Sequence, residues 1–286
     1  MTRQILTTDG LTLSVTIHIP LPDRNRQCAV LYFHGGGLLY GQRDDLPEVY
    51  VKMFLEAGYT LYCFDYPLAP ETCLSGIHKA VQDCARWFCD SEYQSGGFTG
   101  WFLFGRSAGA YLALTLAGKL RYAEKIPPLT GILDFYGYYD LTAPFLHETS
   151  AHYNALPQIP AQLIRNLQSG APVTEGNMDQ RFSLYIYARQ TGRWMDMLCA
   201  TQADLKEYSL SVEDIQRLPP LFITASSGDM DVPMGVSKNL SRLAPDVRYK
   251  WVYYLEHDFD RDITNPTGQN VYKQCLAWMD ELCQKC

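Results

Sequence analysis

Trp101-Phe-Leu-Phe-Gly105-Arg106-Ser107-Ala108-Gly109 runs from an apolar segment through G-x-S-x-G into a helix-prone stretch over 108–120. That order is the context in which the motif has physical meaning. A sharp strand-to-helix turn lifts a serine hydroxyl clear of a sheet. Side chains at 105 and 109 would collide with neighbouring backbone, which accounts for glycine at both. The helix N-terminus then offers free N–H groups and the positive end of its dipole to developing negative charge. Ser107 is therefore the candidate nucleophile.

Outward from this turn the chain alternates between two periodicities. Residues 28–33 (CAVLYF) and 59–66 are continuous apolar runs, as expected of strands buried on both faces. Residues 11–19 place apolar side chains at every second position. Further strands are predicted over 101–104, 129–136, 220–225 and 249–255, and helices over 46–57, 77–89, 108–120 and 270–283. Strands alternating with helices at this spacing predict an α/β fold with a doubly wound, mostly parallel sheet. One stretch breaks the rhythm. Residues 141–218 read as helices and loops with no buried strand, too long for an ordinary connection. The expectation is a catalytic core formed by 1–140 and 219–286, with 141–218 inserted as a helical cap. Its aromatics include Phe145, Tyr153, Phe182, Tyr185, Tyr187 and Trp194. Phe182, Tyr185 and Arg189 have helical spacing, so most of these rings should pack, while some line an apolar pocket. Arg189 and Arg193 are minor candidates for meeting a substrate carboxylate.

His34-Gly35-Gly36-Gly37 follows the 28–33 strand directly. Three glycines let the backbone approach a substrate closely and turn its N–H groups inward. Acyl transfer needs such donors where the tetrahedral oxyanion forms. The expected donors are the N–H groups of Gly36, Gly37 and Ala108, with Gly35 as a substitute. No Lys-Ser or Lys-Thr follows, so a Walker-type phosphate loop is excluded.

With these motifs in place, the chain resembles an α/β-hydrolase, and within that fold the hormone-sensitive-lipase-type carboxylesterases. That family pairs an HGGG loop with a G-x-S-A-G elbow and carries Tyr-Arg-Leu-Ala-Pro-Glu between them. Here Asp65-Tyr66-Pro67-Leu68-Ala69-Pro70-Glu71 departs from that segment only at Pro67. A second departure is Arg106, where the family usually has an acidic residue. The expectation for Arg106 is that it points away from the site and pairs with a carboxylate such as Asp65 or Glu71.

A serine nucleophile needs a base, and the base an orienting acid. In this fold the chain order is Ser, acid, His. Only His147, His152 and His257 follow Ser107. The first two fall in the inserted stretch, and His257 lies after the last strand, where the resemblance places the catalytic histidine. For the acid, Gly228-Asp229-Met230-Asp231-Val232-Pro233 offers two carboxylates. The family's Gly-x-x-Asp pattern selects Asp231, with Asp229 the rival that spacing alone leaves standing. The resemblance implies cleavage of carboxylic esters with small to medium acyl groups through an acyl-enzyme. An amide or peptide-type deacylase shares the triad, and a hydrolase-like binding protein without turnover is a third reading.

Bulk features narrow the field further. The chain has 286 residues, 47% hydrophobic, and its 24 basic against 31 acidic side chains give a net charge of −7. That balance argues against a nucleic-acid partner. No apolar run reaches the roughly 18 residues needed to span a bilayer, and Met1–Gly10 lacks a signal-peptide core. A cytoplasmic setting with reduced cysteines is expected. Cys28 and Cys63 read as small buried hydrophobes, and Cys283-Gln-Lys-Cys286 as frayed thiols. His18 and His78 read as structural. No metal-binding or dinucleotide motif appears, so no cofactor and no metal are implied. The expected partner is a small-molecule ester, with a homodimer as one option.

Overall fold

The computed structural model describes residues 1–120 and 126–284. Its strands are β1 (Thr2–Leu6), β2 (Thr12–His18), β3 (Cys28–Phe33), β4 (Tyr59–Phe64), β5 (Gly100–Arg106), β6 (Gly131–Phe135), β7 (Leu221–Ser226) and β8 (Val247–Val252). They form one sheet in the order β1-β2-β4-β3-β5-β6-β7-β8. From β4 to β8 every pairing is parallel, and β1 and β2 are antiparallel at one edge. Every residue of β3 through β7 is buried, which is why these strands read as continuous apolar runs.

Alternate side chains of each strand feed two cores. On one face Leu31, Phe33, Phe64, Leu103 and Ile223 pack with α2 (Leu74–Trp87) and α3 (Ala108–Leu120). On the other, Tyr32, Phe104, Phe135 and Phe222 pack under α1 (Glu48–Glu56) and the C-terminal helix, through residues such as Phe54, Tyr272 and Trp278. Tyr50 and Tyr272 stack with centroids 3.8 Å apart and lock those two helices together. Truncating a fully buried ring such as Phe104 to Ala should cost about 3–5 kcal/mol.

Between β6 and β7 the described residues contain helices and no strand: α4 (Ala151–Asn154), α5 (Ala161–Leu167), α6 (Met178–Thr191), α7 (Trp194–Met197), α8 (Gln202–Glu207) and α9 (Val212–Ile215). This segment is tied to the core at Leu68 and Gly41. Leu68 N donates to Val173 O at 2.7 Å, and Gly41 and Gly176 exchange backbone hydrogen bonds. The fold closes through α10 (Met234–Leu243) and α11 (Pro266–Cys283).

The strand-and-helix rhythm of the sequence is present, with α2 and β8 each lying two or three residues earlier than expected and with three larger differences. β1 was not foreseen, because only Ile5 of its five residues is buried and an edge strand of that kind leaves no alternating signal. α10 buries only Ser237 and Leu240, so its apolar pattern is faint. The last helix begins at Pro266 rather than 270, started by the Asn265 side chain accepting from Thr267 N. Cys28 and Cys63 are buried as expected. Cys283 lies with its sulfur 3.2 Å from that of Cys28, so it is packed rather than frayed. Cys286 falls outside the described residues.

Candidate active site

The turn after β5 puts Ser107 at φ 54°, in the left-handed region that a non-glycine residue rarely enters. The conformation is held from both sides, Ser107 N donating to Phe135 O at 2.8 Å and Tyr111 N to Ser107 O at 3.1 Å. The flanking glycines follow from contact distance. A Cβ at position 105 would sit 2.1 Å from the Gly109 carbonyl, and one at 109 would sit 2.0 Å from Phe33 O. Strand β5, helix α3 and the end of β3 can cross this closely only without those side chains.

The glycine loop after β3 lies against the elbow. A Cβ at Gly35 would be 3.1 Å from Arg106 O and 3.5 Å from Ser107 Cβ. Gly36 has φ 103° and its carbonyl accepts from Leu39 N at 3.0 Å and Tyr40 N at 3.1 Å, which turns the peptide and fixes the loop. Gly37 O accepts from Trp194 Nε1 at 2.9 Å. Gly36, Gly37 and Ser107 line one cavity, and Ala108 opens helix α3 immediately after Ser107. Among the described residues, the N–H groups of Gly36 and Gly37 have no protein acceptor.

His257, in the loop after β8, brings Nε2 to 2.7 Å from Ser107 Oγ. Its Nδ1 is 2.7 Å from Asp229 Oδ2. Asp229, the rival in this loop, and not the expected Asp231, is the carboxylate in contact with His257. Asp229 Oδ1 accepts from Asp231 N and Val232 N, both at 2.8 Å, and this tight turn aims Oδ2 at the imidazole. Asp231 faces the other way. Its Oδ1 accepts from Tyr185 OH at 2.8 Å, its Oδ2 from Tyr153 OH at 2.9 Å, and Arg189 Nε stands 3.3 Å from Oδ1. Burial pulls the His257 pKa down, but the Asp229 charge and hydrogen bond, with Asp231 and Asp258 behind them, outweigh it and push the group up to about 9.

Arg106 is also corrected. It pairs with neither Asp65 nor Glu71. Asp65 is held by the Arg43 backbone and guanidinium, and Glu71 by Arg181 at 2.7 Å. Arg106 Nη2 donates to Asp260 Oδ1 at 3.0 Å and Nε to Tyr136 OH at 2.8 Å, with Nη1 3.5 Å from Asp45 Oδ2. Tyr136 and Tyr272 donate to the two oxygens of Asp260 at 2.7 and 2.9 Å. So the residue before Ser107 is bonded to the residue three after His257, in a buried cluster. Arg106 nevertheless borders the cavity. Asp45, Tyr136 and Asp260 carry no motif that would have flagged them.

The cavity at Ser107 measures about 230 Å³. A second lobe of about 240 Å³ shares Tyr40, Met178, His257 and Arg261 with it and extends past Leu156, Phe182 and Met230. Neither Arg189 nor Arg193 borders either lobe. Arg189 is buried on Asp231 and on Phe145 O, and Arg193 pairs with Asp196. His147 Nε2 is occupied by Leu141 O at 2.8 Å. His78 is buried against Tyr111 OH, and burial pulls its pKa down to about 3. Among the described residues no three His, Cys, Asp or Glu side chains gather as a metal site.

Residues 30–259 match the family model described as the alpha/beta hydrolase fold. The chain belongs to that family. It is 31% identical to an alpha/beta hydrolase superfamily protein of known structure from Enterococcus faecalis, over 98% of this chain and 99% of that one, with a TM-score of 0.85. Among curated proteins it is 35% identical over 184 residues to the non-reducing polyketide synthase adrD of Penicillium rubens, covering 59% of this chain and 7% of the synthase. It is 30% identical over 129 residues to an acetyl esterase of Salmonella choleraesuis, covering 44% of this chain and 40% of the esterase. The chain thus spans a small part of the synthase's length and less than half of the esterase's. Among the described residues no helix is long and apolar enough to cross a membrane.

Proposed function

We propose that this α/β hydrolase cleaves carboxylic esters through an acyl-enzyme on Ser107. The observation that carries the reading is the unbroken relay Ser107–His257–Asp229, with 2.7 Å at each link, beside the unpaired N–H groups of the glycine loop. Ser107 Oγ attacks the ester carbonyl carbon while His257 Nε2 takes its proton. The carbonyl electrons move to oxygen, which rests on the N–H groups of Gly36, Gly37 and Ala108. The C–O bond then breaks, and His257 returns the proton to the leaving alcohol. Water, deprotonated by the same imidazole, attacks the acyl-serine and releases the acid. Asp229 holds the tautomer and stabilises the imidazolium without taking the proton.

Residues 141–218 act in this reading as a cap over the cleft, since Tyr185 from α6 and Met178 from its start border the cavity. Similarity to the acetyl esterase supports ester cleavage. Similarity to the polyketide synthase favours one second reading, release of a larger polyketide-derived acyl group, but a cavity of about 230 Å³ supports the smaller one. The test is labelling by a fluorophosphonate together with turnover of matched phenyl ester and anilide. Wild type should label and hydrolyse the ester, and Ser107→Ala should do neither. An anilide cleaved as fast as the ester would replace this reading with a deacylase.

A further inference from the structure

Resting on the esterase reading, we infer that Tyr185, clamped by Asp231, closes the acyl side of the cleft and restricts the enzyme to acetyl-sized acyl groups on apolar alcohols. The two sides of the ester bond can be assigned from the chemistry. The carbonyl oxygen must face the N–H groups of Gly36 and Gly37, and the leaving oxygen must lie within reach of His257 Nε2 to receive its proton. The alcohol therefore extends along the His257 side, and the acyl chain takes the remaining direction from the carbonyl carbon, which we assign to the part of the cavity bordered by Tyr185.

On that side Tyr185 forms part of the cavity wall. The Tyr185 ring packs so tightly on the glycine loop that a Cβ at Gly37 would lie 2.4 Å from two of its carbons. Trp194 backs the ring edge-on at a centroid distance of 5.0 Å, and Tyr153 does so at 5.5 Å. The phenol is fixed as well, since Tyr185 OH, Tyr153 OH and Arg189 converge on the buried Asp231 carboxylate. A ring held by packing on both edges and by a charged acceptor at its tip does not swing aside for a longer chain. The His257 side differs. There the second lobe, which Tyr153 and Asp231 border but Tyr185 does not, opens past Leu156, Phe182 and Met230, and both Leu156 and Met230 keep over a third of their surface exposed.

Hexyl acetate and ethyl hexanoate are isomers that carry the same long chain on opposite sides of the ester bond, so they test the assignment directly. Wild-type kcat/KM should favour hexyl acetate by about 100-fold or more, since each misplaced methylene costs about tenfold or more. Tyr185→Ala should narrow that ratio at least tenfold by gaining on ethyl hexanoate. Should the alanine variant fold poorly, Tyr185→Leu keeps an apolar side chain there and should narrow the ratio in the same direction. Equal turnover of the isomers by wild type, or an unchanged ratio in a folded Tyr185 variant, would overturn the inference. Failure of the esterase reading itself looks different: neither isomer is cleaved and Ser107 takes no fluorophosphonate.

Discussion

The backbone N–H of Asp231 donates to Asp229 Oδ1 at 2.8 Å, and with the same bond from Val232 N it closes a turn that points two carboxylates in one loop at different partners. Asp229 serves His257, and Asp231 serves two tyrosines and an arginine. Their substitutions should separate accordingly. Asp229→Asn should lower kcat on hexyl acetate and ethyl hexanoate alike, by about 10³ to 10⁴, the loss expected when an imidazole is left in the wrong tautomer. Asp231→Asn should act on selectivity, narrowing the ratio between the isomers. Steady-state kinetics of the two variants on both substrates decides it. The assignment of the acid falls if Asp231→Asn shows the larger uniform loss.

With His257 as the proposed base, its titration should set the pH profile. Its pKa is pushed up to about 9, and only the neutral imidazole can accept the Ser107 proton. kcat/KM should therefore climb about tenfold per pH unit below that value and level off above it. Stability runs the other way. A folded-state pKa above the unfolded 6.5 means that the protonated form is favoured in the native protein. The contribution is complete below pH 6.5 and is lost as pH rises through about 9. Urea midpoints of wild type and Asp229→Asn across pH 6 to 10 should converge at the alkaline end. A wild-type activity plateau already reached at pH 7 would contradict the first half of this prediction.

Arg106 and Asp260 form a pair with almost no solvent access, 6% and 0% exposed. Removing one partner strands a buried charge, so Asp260→Asn should cost about 3–5 kcal/mol in urea unfolding. Replacing both by apolar residues, as in Arg106→Met with Asp260→Leu, should recover much of that loss. A double variant no more stable than the single one would show that the tyrosine hydrogen bonds, rather than the charge pair, hold this cluster.

Gly109→Ala is the sharpest test of the elbow. The added carbon would meet Phe33 O at 2.0 Å, and backbone cannot step aside as a side-chain tip can. The variant should lose about 3 kcal/mol or more, visible as a fallen urea midpoint or lost soluble yield. Near-wild-type stability would mean that β3 and α3 separate more easily than their packing implies.

Much of this was legible in the chain because it rests on local rules. The buried strands announced themselves as apolar runs, and the elbow and glycine loop as glycines at fixed offsets. His257 followed from chain order. What stayed hidden depends on which way a side chain turns. Asp229 and Asp231 occupy the same loop, and only the turn closed on Asp229 Oδ1 decides which one faces the imidazole. The partner of Arg106 was out of reach for another reason. Asp260 lies 154 residues away and meets it only after β5 and the final loop are packed side by side. β1 escaped notice because one buried residue in five makes no pattern.

The close seat of Tyr185 on Gly37 has an evolutionary corollary. The ring that we propose sets the reach of the pocket comes from α6, while Ser107, Asp229 and His257 come from the loops after β5, β7 and β8. On that proposal, a single codon change at 185 should remodel substrate range and leave the Ser107–His257–Asp229 contacts in place. Position 231 differs, because its carboxylate holds Tyr185, Tyr153 and Arg189 at once and any change there disturbs all three. Natural variation among relatives with this loop should accordingly concentrate on the ring and spare its anchor.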